Sequence, residues 1–102
     1  MKFTIQDDFE DSTESLMRKI SYRFLGRMVG NEEMNFARPL TRNRYPRFHI
    51  YLKKDQNKKT LVFNLHLDQK KPSYKGSHAH SGEYEGFAVE QEIERIKQIL
   101  TV

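Results

Sequence analysis

Residues 48–68 read FHIYLKKDQNKKTLVFNLHLD, and the fold of the chain follows from how this stretch pairs with itself. Phe48, Ile50 and Leu52 alternate with His49, Tyr51 and Lys53, the period of two expected of a strand with one buried side. After a polar break, Leu61, Phe63, Leu65 and Leu67 alternate with Thr60, Val62, Asn64, His66 and Asp68. Two such runs joined by a short polar segment predict a β-hairpin, with strands over about 47–54 and 60–68. Its apolar side faces the core, and Arg47, His49, Tyr51, Lys53, Asn64, His66 and Asp68 share the other side.

Keeping the apolar residues together restricts the register, because a slip of one residue turns every side chain to the opposite face. Two tight registers meet that condition. With Gln56 and Asn57 at the turn, His49 stands opposite Asn64 and Arg47 opposite His66; with Asn57 and Lys58 at the turn, His49 stands directly opposite His66. Asn57 tolerates the positive φ that either turn could use. In both registers the two imidazoles are neighbours, and directly opposed Cβ atoms lie about 5 Å apart.

Outward from the hairpin, Met1, Phe3 and Ile5 alternate with polar neighbours and predict a strand near 2–6. Asp11 or Ser12 offers an N-cap, with Glu14 in the first turn, where a helix favours negative charge. Leu16, Met17, Ile20, Phe24 and Met28 fall on one helical arc, so a helix is expected over about 12–29, with Gly30 as its stop. Met34, Phe36, Arg38 and Leu40 alternate like a strand near 34–40, where Pro39 permits only a sheet edge or an extended arm. Residues 69–86 hold three glycines and almost no aliphatic side chain, a long loop of the kind that carries function or is disordered. Val89, Ile93, Ile96 and Leu100 predict an amphipathic helix over about 87–101, with Glu90, Glu92 and Glu94 mostly outward. The expected fold is α+β, a two-layer sandwich in which both helices cover one face of a small antiparallel sheet and leave the other face open.

At 102 residues the chain fits one domain, 1–102. It has no cysteine, so neither a disulfide framework nor a thiolate site is available, and packing must hold the fold. The start MKFTIQDDFEDS lacks the apolar core of a signal peptide, and no apolar run approaches a membrane span, so a cytoplasmic protein without a membrane partner is expected. The formal net charge of +4 is unevenly spread. Residues 38–75 hold eleven Lys or Arg against two acids, Asp55 and Asp68, while both ends of the chain are acidic. A basic patch between acidic ends is the footprint of an anionic partner such as nucleic acid.

The leading expectation is therefore a small basic binding module for RNA or another polyanion, needing no cofactor. Arg38, Arg42, Arg44 and Arg47 flank Tyr45, and Lys70, Lys71 and Lys75 flank Tyr74. Basic side chains hold phosphates and interleaved tyrosines stack on unpaired bases. His49, Tyr51, Lys53, Asn64 and His66 on the open face would add stacking and hydrogen bonds. The alternative is a histidine-lined metal or small-ligand site. His78 and His80 are two apart, so an extended backbone points both rings the same way; folded over the sheet they would join His49, His66 and Asp68, or Glu83, around Zn²⁺ or Fe²⁺. An open position on that ion would permit hydrolysis of a phosphate or amide bond. A third reading makes the open face or edge a docking surface for a protein partner.

His78 and His80 with Glu85 resemble the first motif of cupins, but the strands for a closed jelly-roll barrel are missing. HIYL and HLDQ resemble the paired strands of two-histidine phosphoesterases, with Tyr51 and Asp68 where that family has a hydroxyl. The element order looks like that of a double-stranded RNA-binding domain, whose last helix begins with lysines where this chain has GEYEGFAVEQE. An RNA-recognition motif would need a further strand after the final helix. None of these carries enough residues to transfer a site. A GxSxG turn, a P-loop and a dinucleotide fingerprint are all missing, and glycines 76, 82 and 86 lack the required spacing.

Overall fold

The computed structural model describes residues 1–28, 30, 32–69 and 86–101, together with the backbone of 82–83. In chain order the elements are β1 (Lys2–Gln6), α1 (Thr13–Lys19), β2 (Arg23–Arg27), β3 (Met34–Pro39), β4 (Arg47–Asp55), β5 (Thr60–Asp68), β6 (Gly82–Glu83) and α2 (Phe87–Leu100). The strands form one antiparallel sheet in the order β1-β5-β4-β3-β2, and the short β6 pairs with β5 past the end of β1. The chain is thus of the α+β class, with a small antiparallel sheet and two helices.

The central hairpin takes the second of the two registers: pairing runs from Arg47↔Asp68 to Asp55↔Thr60 and sets His49 against His66. Its tip differs from the expectation. Four residues, 56–59, connect the strands, and Lys59 rather than Asn57 takes the positive φ, at 52°. The Asp55 side chain explains this, because its Oδ1 accepts from the backbone N–H groups of Asn57 and Lys58, each at 3.1 Å, and so replaces the tighter ladder closure.

The helix expected over 12–29 ends at Lys19 instead. Ser12 caps it, its side chain accepting from the N–H of Ser15. At the other end the N–H of Ser21 donates to the Arg18 carbonyl at 3.0 Å, and that of Tyr22 to the Met17 carbonyl at 2.9 Å, around Ser21 at φ 71°. This is a Schellman stop with serine in the left-handed position that glycine usually fills. Tyr22 and Met17 bury their side chains beside it. Residues 23–27 then pair with β3, and Phe24 packs edge-on against Phe36 at 5.5 Å. Phe24 and Met28 match a helical arc, but the aromatic run from Tyr22 to Leu25 suits a pleated surface better, and the cross-strand ring contact decides for the strand.

Because β2 adds to the sheet, β3 is an interior strand and not the edge that Pro39 implied. Pro39 is accommodated because β2 stops pairing at Ala37, so the missing N–H points where no ladder partner stands. Phe36, Ile50, Leu52, Phe63 and Leu65 are fully buried and join Leu16 and Met17 of α1, Ile20 just past its end, and Val89, Ile93, Ile96 and Leu100 of α2 in one core. Each large apolar side chain so buried stabilises the fold by about 1.5–3 kcal/mol. Among the described residues no helix is long and apolar enough to cross a membrane.

Glu92, expected to face mostly outward, is 4 % exposed. Its carboxylate accepts from Tyr22 Oη at 2.6 Å, from Arg95 at 2.8 and 3.0 Å, and from Arg38 at 3.3 Å. Arg95 also donates to the Ile20 carbonyl at the Schellman stop. Burial, and then the Glu92 charge, push the Tyr22 hydroxyl far above its usual range. This cluster ties α2 to β3 and to the end of α1, where a lone buried carboxylate would be prohibitively costly.

Candidate metal centre

The second face of the sheet, away from the core, is where the hairpin register has its chemical consequence. His49 and His66 lie with ring centroids 4.8 Å apart, and Tyr51 stacks against both, at 4.5 Å from His49 and 5.3 Å from His66. The two histidines, expected on an open face, are only 7 % and 4 % exposed. Tyr51 stands beside them on the same two strands, and Ala37 is paired with His49 on β3. What the alternation pattern marks as a solvated row is therefore a buried polar centre.

Asp68 closes it. The Arg47↔Asp68 pair stands two residues beyond the histidine pair on the same face, so the carboxylate reaches back over both rings. Its Oδ1 lies 2.9 Å from His66 Nε2, and its Oδ2 lies 3.3 Å from His49 Nδ1 and 3.1 Å from Arg47 Nε. Burial pushes the Asp68 carboxyl up, but the hydrogen bonds to His49, His66 and Arg47 outweigh it and hold the group well below the usual carboxylate range. On the far side of His49, Asn35 Oδ1 is 3.0 Å from Nε2. One ligand atom each from His49, His66 and Asp68 fall within 4.8 Å of one another.

The other predicted residues are dispersed. Asn64 and Tyr51 face each other, half-buried, next to the histidine pair, while exposed Lys53 lies further toward the hairpin tip, paired with Val62. Arg47 lays its guanidinium over the Tyr45 ring at 4.6 Å. Arg42 and Arg44 are exposed in the turn from 40 to 46, which the Leu40 N–H closes on the Pro46 carbonyl at 3.0 Å. Arg38 points to the other side of the sheet and pairs with Glu92. Lys70, Lys71, Tyr74, Lys75, His78 and His80 lie outside the described residues, and Glu83 is described only by its backbone pairing with Leu67.

Sequence reasoning misses Asn35 and Glu92. The signal for Asn35 is present, since the alternation that buries Met34 and Phe36 must turn Asn35 to the histidine face. For Glu92 it is the helical wheel: at about 100° per residue it sits roughly 40° from Ile96, on the border of the apolar arc.

No family model matches the chain, and neither a curated protein nor a solved structure is detectably similar to it.

Proposed function

We propose that His49, His66 and Asp68 bind a divalent transition-metal ion, making this chain a small metal-binding domain. The observation that carries the reading is the approach of His49 Nδ1 to Asp68 Oδ2 at 3.3 Å while Nε2 of the same ring faces Asn35 Oδ1 at 3.0 Å. His49 thus stands with an oxygen at each ring nitrogen, and the place between Nδ1 and Asp68 Oδ2 suits a proton or, in its stead, a metal ion that draws the ring and the carboxylate together. Two imidazole nitrogens and one carboxylate suit Zn²⁺ or Fe²⁺ and leave positions open for a ligand or water. Asn35 then sets the His49 tautomer, and Arg47 steadies the carboxylate from outside, the usual roles of groups behind metal ligands. An open position on the ion is able to polarise a phosphoryl or carbonyl oxygen, or to activate a water.

The test is thermal unfolding of the chain, purified without a histidine tag, against added Zn²⁺. Binding at a hundredfold excess over Kd adds about 2.7 kcal/mol, a rise in Tm of roughly 10 °C or more for a domain this size, and His66→Ala should abolish it. A Tm indifferent to Zn²⁺ and Fe²⁺ would remove the reading.

A second reading, polyanion or RNA binding, is supported by the exposed Arg42 and Arg44 beside the Tyr45–Arg47 stack. It expects RNA affinity to fall steeply with salt, and Arg42→Ala with Arg44→Ala to flatten the log–log salt slope by about two. An RNA that fails to bind at low salt rules it out.

A further inference from the structure

We infer that the ligand of this centre is a phosphoryl oxyanion held jointly by the metal ion and Arg47, an inference that rests on the metal reading above. Asp68 and Arg47 already form an ion pair, Nε to Oδ2 at 3.1 Å with both side chains more than four-fifths buried, so they cancel each other. With neutral imidazoles, both charges of a divalent ion remain uncompensated among the described side chains of the site. Uncompensated charge is costly in so enclosed a place, and a dianion neutralises it.

Arg47 is placed to reach such a ligand. Only its Nε is engaged by Asp68, and the Tyr45 ring supports one face of the guanidinium, leaving the terminal amino groups without a hydrogen-bond partner among the described residues. Nε lies against the same Oδ2 that His49 approaches, so the terminal amino groups stand within a few ångströms of the place an ion would take between them. A guanidinium fork matches two oxygens of a phosphoryl group, and a third oxygen is left for the metal; a carboxylate, with two oxygens and one charge, satisfies neither count.

The turn from 40 to 46 leaves the sheet at Pro39 and returns at Arg47, the residue paired with it. Exposed Arg42 and Arg44 therefore belong to the same corner of the molecule and suit further phosphates beyond the first.

The experiment titrates inorganic phosphate, phenyl phosphate and a short single-stranded RNA into the zinc-loaded full chain and into the metal-free chain. Expected is binding of phosphate that depends on zinc, weakened at least tenfold in zinc-saturated Arg47→Lys, which keeps the charge and loses the fork, with an unchanged circular dichroism spectrum as the control for folding. Tighter binding of RNA than of phenyl phosphate would identify a phosphodiester chain as the source of the oxyanion, and the reverse a small phosphate ester. Zinc binding without phosphate binding in the unaltered chain, or equal affinity in Arg47→Lys, would overturn this inference and leave the metal reading standing. Absence of zinc binding would overturn both.

Discussion

Replacing Glu92 with alanine is expected to lower stability by about 3–5 kcal/mol, the cost of breaking a buried ion pair by removing one partner. The substitution strips Tyr22, Arg38 and Arg95 of their common acceptor in one step. Two guanidiniums and a fully buried hydroxyl would then lack the carboxylate for which they are desolvated, and leaving such donors unsatisfied costs more than the hydrogen bonds themselves contribute. A domain of this size has only about 5–15 kcal/mol of stability in all, so the change removes a large share of it. Glu92→Gln, which preserves the shape and one acceptor, should lose less. Urea denaturation reads both; a shift below 1 kcal/mol for Glu92→Ala would mean that the cluster is incidental to holding α2 on the fold.

Asp68→Asn is the second large effect, and it acts on the site. The amide keeps the volume but presents an N–H₂ group to one of three donors, His49, His66 or Arg47, and the expected cost is about 3 kcal/mol. The variant also lacks the anionic ligand, so Zn²⁺ should no longer raise its Tm. pH provides an independent check. The folded Asp68 carboxyl titrates below its unfolded value near 3.9, so its contribution is fully present above that value and is lost as pH falls from there toward the folded pKa. The unaltered chain should therefore lose stability more steeply than Asp68→Asn as pH is lowered below about 4. Parallel acid-unfolding curves would contradict the assigned role of the carboxylate.

How much of this was legible in the sequence depended on which interactions are local. Alternation placed every core residue of the hairpin, and the parity of the two strands confined His49 and His66 to adjacent positions. The same alternation could not tell a solvated face from a buried polar one, because Tyr51, Asp68 and Asn35 meet the histidines through side-chain reach across three strands, a property of distance and not of period. The stop of α1 was hidden for a similar reason. Ser21 carries no glycine signal, and Phe24 satisfies helix and strand equally until Phe36 is alongside. Glu92 reads as solvent-facing until Tyr22, from just past α1, and Arg38, from β3, converge on it beside its own helix neighbour Arg95.

The central claim, that His49, His66 and Asp68 are ligands of one ion, is tested most directly by X-ray absorption at the zinc edge of the stoichiometrically loaded chain. The account predicts a shell containing two imidazole nitrogens at about 2.0–2.1 Å, with their outer-ring scattering, and carboxylate oxygen at about 2.0–2.2 Å, reduced by one imidazole in His66→Ala. A shell of oxygen alone, or one unchanged by His66→Ala, would contradict it.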